Sequence, residues 1–224
     1  LGAWCISEKA GGVVMAHGGP FNGYALVVLR GKPTFMVRSG KQLATATAKI
    51  KVTNKWIHLA GVLTKDKQMR LYVNGELAAE AKSPGLIESV PVQGLQVGAD
   101  DGSAVGDYTT PFPFKGVVDE VRVYHRALNE QEMEKLADWG NEPKDKSLVL
   151  YSGFEKGKAI DDSGNKHSGK LSGVNIVRAK TGQAIHFSGR STPGGGGPGV
   201  EHHWTQDIPI LVLAMAKAGD TLFL

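Results

Sequence analysis

The residues that could do chemistry in this chain are clustered acids, a few histidines, one thiol and a run of loop aromatics. The acids fall at Asp100/Asp101, Asp119/Glu120, Glu130/Glu132/Glu134 and Asp161/Asp162. Hydrolysing a glycosidic bond with retention needs two carboxyl groups about 5–5.5 Å apart on either side of it. The glutamates at 130–134 sit in a helical pattern and Asp161/Asp162 in a turn, which does not make such a pair. Asp100, Asp101 and Asp162 with Asn165 read first as turn formers. His58 reads as a packed strand histidine, and the adjacent His202 and His203 would point to opposite faces of a strand, which opposes joint chelation. Cys5, in LGAWCI, reads as a small buried apolar side chain rather than a reactive thiol. In GDYTTPFPFKG (106–116), Tyr108, Phe112 and Phe114 lie in a stretch that its prolines keep out of any central strand. Aromatics on such a rim loop stack on sugars or on a partner protein. These three are the expected ligand contacts, against the alternative that Phe112 or Phe114 tucks under the loop as satellite core.

The elements that must position these residues are strands. Up to about residue 124, short apolar runs alternate with Gly, Asn, Asp and Pro: LGAWCI, GVVMAH, YALVVLR, PTFMVRS, KWIHLAGVLT, QMRLYVN, LQVGAD and GVVDEVRVY. Period-two alternation sends Trp56, His58 and Ala60 to one face and Ile57 and Leu59 to the other, which predicts a central strand covered on both sides. Lys65–Lys67 reads as a polar turn. Asn74-Gly75 supplies the two positive-φ residues of a type I′ hairpin, so 55–82 is a meander. One helix is predicted near 129–138: Asn129 caps it, Glu132 completes a capping box, Leu128, Met133, Leu136 and Ala137 form its apolar stripe, and Gly140 stops it.

The 224 residues are 41% hydrophobic and 21% charged, with thirty glycines, which fits a turn-rich globular protein. The net charge of +4 comes from scattered basic residues and gives no nucleic-acid footprint. A single cysteine excludes an internal disulfide framework. No apolar run reaches membrane-spanning length, so no direct membrane insertion is expected. Both ends fall inside apolar strand patterns, as expected of a segment of a longer protein. NEPKDKS and RSTPGGGGPG read as linkers by composition.

Two spaced motifs, NKWIHLAGVLTKDKQMRLYVNGELAAE and FKGVVDEVRVYHRALNEQEMEKLA, together resemble the laminin-G-like jelly rolls of the concanavalin A-like lectin/glucanase superfamily. The resemblance implies an all-β sandwich of two antiparallel sheets with one short helix. It covers residues 1–140 but lacks that family's opening strands, and LVLYSGFEKGKAIDDSGNKHSGKLSGV…KTGQAIHFSG resembles the missing opening. The expected organisation is therefore a jelly roll at 1–140, a linker at 141–146, opening-type strands at 147–189 docked on it, and a second linker at 190–199. Residues 200–224 would begin a further domain, with a weak resemblance to the entry of a pyrroloquinoline-quinone-type β-propeller.

Catalytic relatives carry a Glu-x-Asp-x-x-Glu strand, which this sequence lacks, so the resemblance implies a non-catalytic module binding glycan or protein. Two alternatives stay open: a spacer attached to a propeller, and a glycoside hydrolase of the same fold. The resemblance also implies an extracytoplasmic location and a structural Ca2+ held partly by Asp119, with simple hydrogen bonding of Asp119 to the rim backbone as the alternative.

Overall fold

A computed structural model of the chain describes residues 1–139, 145–189 and 204–206. In order these form β1 (Gly2–Ser7), β2 (Gly11–Gly18), β3 (Gly23–Leu29), β4 (Lys32–Ser39), β5 (Gln42–Thr47), β6 (Trp56–Leu63), β7 (Gln68–Val73), β8 (Glu76–Lys82), β9 (Leu95–Val97) and β10 (Lys115–Tyr124). After them come α1 (Glu130–Leu136), β11 (Leu148–Ser152), β12 (Lys170–Leu171), β13 (Asn175–Arg178), β14 (Gln183–Ser188) and β15 (Trp204–Gln206).

The strands make two sheets, paired antiparallel. One has eight strands in the order β13-β14-β10-β1-β6-β7-β8, with β11 also on β10; the other has seven, β12-β15-β9-β2-β3-β4-β5. β14 bonds the first half of β10, from Lys115 to Val118, and β11 the second half, from Val121 to Tyr124. β5 was not anticipated, because QLATAT is half polar, without a large apolar run, and sits at the sheet edge with half its residues exposed. The tail expected to begin a propeller lies outside the described residues, apart from the backbone of β15, which pairs with β9 and β12.

The inner faces of the two sheets share one core. Leu59, Val118, Val121, Leu150, Ile185 and Phe187 from the first sheet meet Val14, Leu26, Val28, Phe35 and Val97 from the second. Two glycines let the layers close. A Cβ on Gly61 would lie 2.5 Å from the Phe35 ring, and one on Gly98 would lie 2.2 Å from the Phe187 ring. Only a bare backbone fits these aromatics. Ile160, outside this core, is 41% exposed.

On β6 the alternation holds. Ile57 and Leu59 face the core, whereas Ala60 and Val62 join Tyr72, Leu128, Met133 and Leu136 beneath the helix. Helix α1 has the full capping box: the Asn129 side chain accepts from the Glu132 amide, and the Glu132 carboxylate accepts from the Asn129 amide. Gly140, the expected stop, lies outside the described residues. The Asn74-Gly75 hairpin takes positive φ at both positions, 53° and 83°. A Cβ on Gly75 would lie 3.0 Å from the Glu134 Cα, so the same glycine that turns the hairpin admits the helix.

The Phe187 ring belongs to the shared core although it lies after the helix and the turn at 145–147. Phe187→Ala should cost about 3–5 kcal/mol, the range for emptying a buried aromatic site. Denaturant unfolding followed by tryptophan fluorescence should show one cooperative transition at lower midpoint. A separate early transition, with the rest of the chain unaffected, would contradict a common core.

Candidate recognition surface

The outer face of β2, β3 and β4 is apolar, and the loop at 98–114 covers it. Val13, Ala16, Ala25, Val27, Met36 and Val105 are buried together there, with Tyr108 and Phe112 packed against them. Backbone bonds pin the loop to the sheet: the Val13 amide donates to the Phe112 carbonyl (3.0 Å), the Phe114 amide to Gly98 (2.8 Å) and the Gly98 amide to Val14 (3.0 Å). Asp100 organises the loop from within. Its Oδ2 accepts from the Tyr108 hydroxyl (2.5 Å) and from the Val105 amide (3.1 Å). Burial pushes the Asp100 carboxyl up, and burial together with the Asp100 charge pushes the Tyr108 phenol up. Arg38 clamps the outside by donating to the Val105 carbonyl (2.5 Å) and pairing with Asp107 (3.0 Å).

The three aromatics expected to contact a ligand do not share one fate. Tyr108 and Phe112 stack at 5.2 Å with an interplanar angle of 25°, and both are half-buried. Phe114 is fully buried and meets Phe187 edge-on at 6.4 Å. Its expected role as a ligand contact is corrected: the residue is core, because the chain passes from the loop into β10 at that point and turns it inward.

Asp119 lies opposite Trp4 of β1, beside an irregularity in the β1–β10 register where Glu120 takes φ 54°. Its Oδ1 accepts from the Glu120 amide (2.8 Å), while its Oδ2 is buried and has no hydrogen-bond partner. Burial, then the Glu120 charge, pushes its carboxyl up to about 8. An orphaned buried carboxylate oxygen suits a hard cation as a single ligand, but Ca2+ takes six to eight oxygens. Among the described residues, no group of three or more His, Cys, Asp or Glu could hold a metal ion. The fit to calcium is therefore partial and rests on Asp119 alone.

The remaining candidates are structural. Glu120 pairs with Arg122 and accepts from the Tyr151 hydroxyl (3.0 Å). Glu132 caps α1 and pairs with Arg126 at 2.6 Å. Asp161 accepts from the amides of Tyr151, Ser163 and His167, as a turn former does. His58 is buried; its imidazole is lowered to about 3, first by burial and then by the Arg122 charge, which keeps it neutral. Burial raises the Cys5 thiol to about 12, so it stays protonated. His202 and His203 lie outside the described residues.

Sequence reasoning did not anticipate a tryptophan cluster on the opposite, outer face of the first sheet. Trp139 stacks on Trp4 at 4.4 Å, meets Trp56 edge-on at 5.6 Å and lies under Lys180 Nζ at 5.6 Å. The alternation of β6 did separate Trp56 from the core-facing Ile57 and Leu59. Nothing local, however, signals that Trp139, just beyond the helix, would return to it.

Two face-to-face antiparallel sheets with a loop drawn over one outer face define a lectin-like jelly-roll sandwich. A laminin G family profile, described as the concanavalin A-like lectin/glucanases superfamily, matches residues 2–134, more than half of the chain, and the chain belongs to that superfamily. No curated protein matches it. Among solved structures, a Bacteroides ovatus protein assigned as carbohydrate binding is similar at 18% identity and TM-score 0.52, covering 82% of this chain and 49% of that one. The native heptameric SAP-like pentraxin of Limulus polyphemus is similar at 14% identity and TM-score 0.50, covering 66% of this chain and 73% of that one. The chain thus spans about half the length of the Bacteroides ovatus protein. At these identities the likeness establishes the fold.

Two outcomes follow from the buried carboxyls. Tyr108→Phe removes a bond to buried Asp100 and should lower stability by about 1–3 kcal/mol in denaturant titration, with the fold retained; an unchanged midpoint would refute the role of that bond. Asp119 holds its proton far more tightly folded than unfolded, where a carboxyl titrates near about 3.9. Its contribution to stability is therefore full below that value and lost as pH rises through about 8. In chelator, Tm should fall across this window, and Asp119→Asn should flatten the fall. Parallel pH profiles would show that Asp119 is not the group responsible.

Proposed function

We propose that the chain is a non-catalytic recognition module of an extracytoplasmic multidomain protein, binding a glycan or a protein through its loops. The observation that carries this reading is the use of the acids. Glu120, Glu132, Asp100 and Asp161 are each tied to an arginine, a hydroxyl or backbone amides that hold the sandwich together. Carboxyls engaged in this way serve the scaffold, and a jelly roll with rigid loops is a suitable base for binding. Tyr108 and Phe112 are the rim aromatics available to touch a ligand, through the parts of their rings left exposed. Support also comes from the Bacteroides ovatus relative, itself assigned as carbohydrate binding.

In this reading residues 1–189 act as one unit. The pairing of β11 and β14 along β10 supports it. Asp119 would give one oxygen to a structural calcium, with backbone carbonyls supplying others. Millimolar calcium should then raise the Tm of the native chain by binding its folded state, and Asp119→Asn should erase the rise.

The function is tested by applying the full chain to arrays of neutral and acidic glycans and to β-glucan solutions. Saturable glycan binding without release of reducing ends is the expected result. Turnover of a β-glucan that a carboxylate substitution abolishes would replace the reading with a hydrolase.

A further inference from the structure

Two cavities among the described residues bear on ligand binding. One, of about 50 Å³, lies between α1 and the sheets and is lined by residues such as Phe35, Ile87, Leu128 and Met133. It is too small for a ligand and counts as imperfect packing. The other, about 290 Å³, opens between the β2–β3 turn and the segment leading into β9.

This second groove combines three properties. None of its ten lining residues is charged, in a chain where about one residue in five is. Its walls also hold three of the seven large apolar side chains that are well exposed among the described residues: Phe21 at 59%, Val90 at 50% and Val92 at 101%. Such clustering on a monomer surface marks contact sites. Finally, its loops are held in place by one another. The Asn22 amide nitrogen donates to Ser89 Oγ (2.6 Å), and its oxygen accepts from the Gly40 amide (3.1 Å). The Gly18 amide donates to the Gln93 carbonyl (3.1 Å). The Gln93 side-chain amide, with its nitrogen turned toward the carbonyls of Gly18 (2.7 Å) and Ser103 (3.1 Å), accepts from the Ser103 amide (2.9 Å).

We propose that this groove is a binding subsite for a neutral oligosaccharide, with the Phe21 ring as its stacking platform; the proposal rests on the recognition-module reading above. An uncharged lining offers no counter-ion to an acidic sugar or a charged peptide. An exposed aromatic face suits the C–H face of a pyranose, while serine hydroxyls and amides match its alcohols. A peptide bound by strand addition would need a free strand edge. The backbone here is already bonded, Gly18 to Gln93 and the Gly19 amide to the Asn22 carbonyl at 3.0 Å. Because the loops are cross-linked before a ligand arrives, little ordering cost falls on binding.

The experiment is an amide chemical-shift titration of the full chain with cellohexaose, xylohexaose and mannohexaose. Polygalacturonate serves as the charged probe, and a Pro- and Val-rich peptide as the protein-like one. At least one neutral hexasaccharide should shift Phe21, Asn22, Val92 and Gln93 saturably. Phe21→Ala, at an exposed position, should weaken that binding by about tenfold, as loss of a stacking contact does, without altering Tm. Binding that ignores Phe21→Ala, or that shifts only Tyr108 and Phe112, would overturn the subsite and leave the recognition function standing. Shifts at the groove from the peptide or from polygalacturonate alone would overturn it in favour of those ligands. No shift from any probe, together with blank glycan arrays, would remove both readings.

Discussion

Strand β10 is hydrogen bonded along both edges. β1 runs beside Gly116–Arg122, and β14 and β11 divide the opposite edge between them. A ten-residue strand buried between neighbours must have its amides and carbonyls matched on both sides, since an unmatched buried group costs as much as a lost hydrogen bond. That constraint draws in residues from the whole described chain. It orients Val118 and Val121 toward the core, sets Asp119 opposite Trp4, and delivers the chain to Asn129, where the helix begins. Without partners on its second edge, β10 would offer a long row of donors and acceptors to any passing strand.

The closeness of the two layers depends on where side chains are missing. Phe35 rests on Gly61, and Phe187 on Gly98, each at a distance that even a methyl group would forbid. Aromatic volume on one sheet is thus matched by bare backbone on the other. The apolar outer face of β2–β4 then needs a cover of its own. The loop at 98–114 provides it, tied down by Asp100, Tyr108 and Arg38.

Rigid loops on a sandwich separate recognition from chemistry. A buried carboxyl bonded to a phenol or an arginine holds a loop in place, but it is then engaged with its neighbours. Phe21, Val90 and Val92 in the groove and the half-buried Tyr108 and Phe112 on the loop are apolar side chains that this scaffold leaves at least partly exposed.

Local chemistry made much of the scaffold readable from the residues alone. The Asn129/Glu132 capping box, the Asn74-Gly75 hairpin and the alternation along β6 each involve neighbours within a few positions, so propensity and periodicity suffice. The class of fold came instead from the resemblance of the two motifs around Trp56 and Asp119 to laminin-G-like jelly rolls. Tertiary structure decided what depends on distant partners. Phe112 and Phe114 are two residues apart in one Pro-broken run; one packs on the outer face and the other enters the core, because the chain turns inward at Phe114 as it enters β10 at Lys115. β5 was illegible because its strand conformation comes from pairing with β4 at the sheet edge, not from its own apolar pattern. The groove around Phe21 brings positions 19–22 against 89–93 and 103, and the tryptophan cluster brings 4 against 56 and 139. Such sites arise where loops and strand faces converge in space, and no spacing along the chain encodes that convergence.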